Sequence, residues 1–65
     1  MTRYDKDTEE LMILFFDNLR EKDQRHYAAV EAKKLGHGGQ QYISELFGIS
    51  VRTIERGIEE LEKKS

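Results

Sequence analysis

Glycine is the only helix breaker in this sequence of 65 residues, and four of its five glycines lie at just two places. Proline is absent, so only Gly36-His37-Gly38-Gly39 and Gly48 interrupt the chain. The long pieces between them must take up structure without a forced break. Within each piece apolar residues recur at helical spacing, and nowhere do they alternate with a period of two. The expected fold is therefore all-α: a compact three- to four-helix domain spanning residues 1–65, with no sheet.

The first helix is expected to start near Asp7-Thr8-Glu9-Glu10, where an aspartate can cap free N–H groups and carboxylates suit the positive end of the helix dipole. Leu11, Leu14, Phe15 and Leu19 form its core stripe, widened by Met12 and Phe16 to more than half the girth. A second helix should run from about Lys22 to Leu35. Tyr27, Ala28, Val30, Ala32 and Leu35 are its apolar side, Lys33 and Lys34 sit in its last turn, and Gly36 ends it in left-handed geometry. The segment GHGG then reads as a loose hinge. Helix three covers about Gln40 to Phe47 and buries Ile43, Leu46 and Phe47. After Gly48-Ile49-Ser50 a fourth helix begins with Ser50 as N-cap and Ile54, Ile58 and Leu61 on its inner face.

A chain this short buries only about 60% of its unfolded surface, so the core must be small. Charged and hydrophobic residues each make up 37% of it and are interspersed, which suits a folded soluble domain. There is no cysteine, so neither a disulfide framework nor a thiolate metal site is available, and a cytoplasmic setting is expected. The longest apolar run, Leu11 to Phe16, is too short for a signal peptide or a membrane span. The net charge of −2 comes mainly from residues 1–18, where Arg3 and Lys6 face Asp5, Asp7, Glu9, Glu10 and Asp17. Such a balance argues against strong non-specific nucleic-acid binding.

Function is most legible between about residues 40 and 63. A three-residue turn cannot lay two helices back to back, so helices three and four should cross steeply, as in a helix-turn-helix. That motif needs a small residue where the helices approach, and Ser44 supplies it. It needs a residue tolerant of positive φ at the turn, and Gly48 supplies that. Ile43, Phe47, Ile49 and Ile54 provide the apolar contacts between the pair.

GGQQYISELFGISVRTIERGIEELE, with the preceding EAKKLGHGG, resembles the N-terminal helix-turn-helix of a group of bacterial insertion-sequence (DDE-type) transposases. There a similar EA-x-x-LG-x-GG segment leads into G-x-S-x-x-TI-x-RG-x-x-EL. The likeness spans roughly residues 18–62. The GIS-x-x-TI-x-R core is shared with many bacterial repressors, and the LGHGG leader and RGIEEL tail narrow it. The resemblance implies a homeodomain-like or winged-helix-like arrangement without strands, and recognition of transposon ends in double-stranded DNA. It also implies a parent protein longer than this chain, and the ending ELEKKS reads as a helix running on towards a linker.

On that reading the fourth helix enters the major groove with Val51, Arg52, Glu55 and Arg56 outward. Arg52 and Arg56 are candidates for bidentate contact with guanine. Glu55 can accept from a cytosine amino group or pair with a neighbouring arginine, and Val51 can touch a thymine methyl or join the core. Gln40, Gln41, Tyr42, Ser50 and Thr53 suit phosphate contacts, although Tyr42 serves equally as a partly buried prop. Against this stands an ordinary solvated helix in which Arg56 pairs with Glu60 and Glu59 with Lys63. In the groove reading Glu60 and Glu62 turn away from the arginine face. Gly57, in mid-helix, points to a close approach by another helix.

No cofactor, metal or small-molecule substrate is expected. His26 and His37 are eleven residues apart with no cysteine near them, which does not make a zinc site. GHGG lacks the lysine and hydroxyl residue of a phosphate-binding loop. Transposases of the resembling group carry an acidic triad on a mixed α/β catalytic domain, for which this chain has neither strands nor length. Asp5, Asp7, Glu9, Glu10 and Asp17 are therefore not read as that triad, and no enzymatic activity is expected. Two readings of different class remain. One is a DNA-binding module, as a transposase head or a transcriptional regulator of the same fold. The other is a protein-interaction module in which Leu11, Met12, Phe15 and Phe16 pack against the rest of a transposase or a second copy.

Overall fold

The computed structural model describes residues 3–63, all four of whose elements are helices: α1 (Lys6–Asp17), α2 (Glu21–Leu35), α3 (Gly39–Phe47) and α4 (Val51–Lys63). The last two residues of the ELEKKS ending lie outside this range. α1 begins earlier than its acidic cluster suggested. Asp5, not Asp7, is the N-cap, and its carboxylate accepts the Thr8 N–H at 2.8 Å. Hydrogen bonds from the Thr8 hydroxyl and from the Thr8 N–H hold the Asp5 carboxyl below its ordinary pKa.

α2 is the central element. It packs against α4 and α3, while α1 closes the assembly over α2 and α3. Small side chains allow this. Ala28 and Ala29 are fully buried and Ala32 nearly so, so the backbones of the neighbouring helices can come close. α4 approaches through Gly57, where an added Cβ would lie 2.6 Å from the Arg25 carbonyl oxygen and 3.1 Å from the Ala29 Cβ. The close approach expected at Gly57 is therefore present, and its neighbour is α2. α3 approaches in the same manner through Gly39, where a Cβ would fall 2.5 Å from the Ala32 carbonyl oxygen. GHGG is thus not a loose hinge. Gly36 ends α2 at positive φ but with extended ψ, Gly38 caps α3 in left-handed geometry, and Gly39 is already buried helix.

The core joins Met12 and Phe16 of α1, the alanines of α2, Tyr42 and Ile43 of α3, and Ile54 of α4. Phe16 stacks on Phe47 with ring centroids 4.3 Å apart, and Phe47 reaches on to Tyr27 at 5.7 Å. This turns α1 away from its expected orientation. Met12 and Phe16 are buried, Leu19 is half-buried, and Leu11, Leu14 and Phe15 stand in solvent. The stripe was wide enough to allow either rotation, and polar anchors settle which one forms. Tyr42 donates its hydroxyl proton to Glu9 and accepts the Tyr4 N–H at 3.2 Å, while the Tyr4 hydroxyl donates to Glu31 at 3.0 Å. With Glu9 drawn inward, Phe16, seven residues on along the same side, must follow it.

Glu31 is the second departure. It is 8% exposed, whereas Val30, expected on the apolar side, is 47% exposed. Its position four residues from both Tyr27 and Leu35 puts it on the inner side of α2. Burial of a carboxylate is compensated here by the Tyr4 hydroxyl and by Lys34 at 3.5 Å. Burial and the neighbouring Glu31 carboxylate together raise the pKa of the Tyr27 hydroxyl.

Candidate nucleic-acid interface

The turn between α3 and α4 is built as its residue types require. Gly48 takes left-handed backbone angles, φ 68° and ψ 31°, which a side chain would disfavour. Its N–H and that of Ile49 both bond back to the Ser44 carbonyl. Ser44 is buried and small, and its hydroxyl returns to the Gln41 carbonyl at 2.8 Å, so the site admits the second helix without leaving a polar group unpaired. Ile49 is half-buried against the core. Ser50 caps α4: its Oγ accepts the Thr53 N–H at 3.1 Å and lies 3.0 Å from the Thr53 hydroxyl. The N–H groups of Val51 and Arg52, in the first turn, have no acceptor within the helix.

Beyond the cap, α4 has two distinct sides. Ile54 and Gly57 are buried, and Ile58 and Leu61 are half-buried. Spacings of four and seven bring Arg52, Arg56, Glu59 and Lys63 onto the opposite, exposed side. Among the described residues Arg52 has no ion pair or hydrogen-bond partner, and Lys63 meets Glu59 at 3.7 Å. Glu55 is exposed between Arg52 and the flank of the helix and pairs with neither arginine. Val51 is half-buried and borders an open depression of about 390 Å³ whose other walls are Gln40, Gln41 and the GHGG turn. Two of the expected phosphate-contacting residues thus lie beside the start of α4. Gln41 is exposed and donates to Glu45 at 2.8 Å. Thr53 lies on the other flank, where with Arg25, Gln24, Ile49 and Arg56 it lines a second depression. Tyr42 does not belong to this surface. It is 4% exposed with its hydroxyl held by Glu9, so it is the buried prop.

Both ion pairs of the ordinary solvated-helix reading, Arg56–Glu60 and Glu59–Lys63, are formed. The Arg56 Nε donates to Glu60 at 3.2 Å, so Glu60 does not turn away from the arginine side. The same carboxylate receives Arg25 of α2 through two bonds, at 2.9 and 3.3 Å, and His26 Nε2 lies 3.0 Å from it. Hydrogen bonds from Arg25 and His26, with a smaller share from Arg56, lower the Glu60 pKa to about 2. Glu60 therefore ties α4 to α2 and sets where the Arg56 guanidinium rests. Arg56 is 70% exposed, and an ion pair that open to water is weak. Sequence spacing showed the Arg56–Glu60 pair but carried no sign of Arg25 and His26, which lie more than thirty residues away.

The Glu60 cluster has a pH signature. Between the ordinary value of 4.5 and about 2 the unfolded chain takes up a proton at Glu60 while the folded chain does not. The cluster's stabilisation is thus complete above pH 4.5 and is lost as pH falls towards 2. Thermal melts should show Glu60→Gln less stable than the parent at pH 7, with the deficit closing across that window. A deficit unchanged down to pH 2 would contradict the charge-assisted contacts.

Comparison with protein-family models, with curated proteins and with solved structures finds no match for the chain.

Proposed function

We propose that the chain is a sequence-specific DNA-binding module in which α3 and α4 act as a helix-turn-helix and the first half of α4 enters the major groove. The observation that carries this reading is the pairing of Arg52 and Arg56, one turn apart on the exposed side of α4, directly after a turn made by Gly48 and capped by Ser50. Guanidinium groups at that spacing meet guanine edges two-pronged, with Glu55 between them suited to a cytosine amino group. Gln40, Gln41, Ser50 and the free first-turn N–H groups fit the flanking phosphates.

Charge sets the manner of binding. A chain of net charge −2 gains little from the general field of DNA, so affinity must come from a few directed contacts. One copy is then a weak reader, and useful affinity calls for a second copy or further domains. The finer identification, a head that recognises transposon ends for a transposase acting in the cytoplasm, rests on the sequence resemblance alone. A transcriptional regulator built on the same helix pair would use the same residues.

The test is selection of binding sites from a randomised duplex library, followed by titration at low and moderate salt. The expected result is an enriched sequence containing guanine. Arg52→Ala and Arg56→Ala should each weaken binding by about 1–3 kcal/mol, roughly 5- to 150-fold. Failure to enrich any sequence, or affinity indifferent to both substitutions, would overturn the proposal.

A further inference from the structure

Leu11, Leu14 and Phe15 are 68, 60 and 54% exposed, and their spacing puts them within one turn of each other on the solvent side of α1. The strip does not stop at the helix. The Phe15 ring meets Tyr27 of α2 edge-on with centroids 5.0 Å apart, and Val30, one turn further along α2, is 47% exposed. Single exposed leucines are ordinary, whereas a continuous apolar strip across two helices of so small a chain marks a contact surface.

The charge beside the strip selects what covers it. Asp7, Glu10 and Asp17 are exposed, and their spacings of three and four from Leu11 and Leu14 put them along the outer border of the strip. None of the three is in an ion pair among the described residues. Glu9, the remaining acid of the helix, is turned inward to Tyr42. The only base in α1 is Lys6, at its first position, while Lys33 and Lys34 stand exposed three and four residues on from Val30, so the acidic border is that of the α1 part of the strip. Nucleic acid and anionic bilayers are repelled by such a border. Two copies meeting α1 to α1 would set one row of acids against the other.

We infer that α1 is the docking face for a cationic amphipathic helix of a partner protein, whose apolar side covers Leu11, Leu14 and Phe15 while its lysines or arginines meet Asp7, Glu10 and Asp17. The strip lies on the solvent side of α1 and uses none of the residues assigned to DNA, so the inference stands apart from the DNA reading.

The test uses the whole chain and two synthetic amphipathic peptides with the same leucine face, one flanked by lysines and the other by glutamates. Binding is followed by fluorescence anisotropy. The lysine peptide should bind the parent at least about tenfold tighter than the glutamate peptide. Leu11→Ser with Leu14→Ser should lose at least about tenfold for the lysine peptide, with an unchanged melt because both positions are exposed. Glu10→Lys with Asp17→Lys should reverse the preference towards the glutamate peptide. Equal binding of the lysine peptide by parent and serine variant would overturn the inference, as would a preference unmoved by charge reversal or no binding of either peptide. Sedimentation showing a dimer that the serine substitutions dissolve would also overturn it, by assigning the face to a second copy.

Discussion

Gly57→Ala is expected to lower the melting temperature by roughly 5–20 °C, although alanine is the better helix former by about 1 kcal/mol. At an exposed helical position that exchange stabilises. At Gly57 the new methyl carbon would sit 2.6 Å from the Arg25 carbonyl oxygen, 3.0 Å from the Arg25 Cγ and 3.1 Å from the Ala29 Cβ. The Arg25 side chain has room to adjust, but the backbone oxygen belongs to a central helix held on two sides. α4 must therefore withdraw from α2. That strain outweighs the propensity gain and leaves a net loss of about 1–3 kcal/mol. Withdrawal also stretches the Arg25–Glu60 bonds, so the acid dependence of stability should weaken in the same variant. Glu59→Ala, on the exposed side two residues away, is the control and should change stability by less than about 0.5 kcal/mol. A Gly57→Ala melt equal to or above the parent's would remove close helix packing as the reason for this glycine.

Ile54→Ala should have the larger effect. Ile54 is fully buried where α4 meets the rest of the core, and truncating such a residue costs about 2–5 kcal/mol. A domain of this length has on the order of 3–10 kcal/mol of total stability, so the variant should be partly or wholly unfolded at physiological temperature. The cavity it leaves lies beneath the first turns of α4, which carry Arg52 and Arg56. Any DNA binding should therefore fail with the fold, whereas Arg52→Ala should leave the melt unchanged. Denaturant titration of the two variants side by side separates them. A stable, cooperatively folding Ile54→Ala would contradict the assignment of Ile54 to the centre of the core.

What the residues announce in advance, and what they conceal, follows the range of the interaction. Gly48, Ser50 and Ser44 were legible because a turn, a cap and a close contact each constrain residues only a few positions apart. The four helices followed for the same reason, with bounds displaced by at most a couple of residues. The rotation of α1 was not legible. Leu11, Leu14 and Phe15 satisfy helical periodicity as well as Met12 and Phe16 do, and the choice between them is made by Phe47, Tyr42 and Glu31 on other helices. GHGG looked slack because glycine signals conformational freedom, and nothing local tells that from glycine used to admit a neighbouring backbone, as Gly39 is. Glu31 did leave a trace: a charged residue four positions from Tyr27 and from Leu35 lies on the inner side by periodicity alone. Glu60 left only half of one. Its bond to Arg56 is local, while Arg25 and His26 are brought to it by the packing of α2 on α4.

The first two turns of α4 are the surface proposed to meet DNA. The most direct measurement is the change in backbone amide resonances of the isotopically labelled chain on adding a selected duplex at low salt. The expected shifts are concentrated at Ser50, Val51, Arg52, Glu55 and Arg56, with smaller ones at Gln40 and Gln41, and Leu11, Leu14 and Phe15 stay in place. Shifts confined to α1 with residues 50–56 unmoved, or no shifts at any duplex concentration, would contradict that assignment.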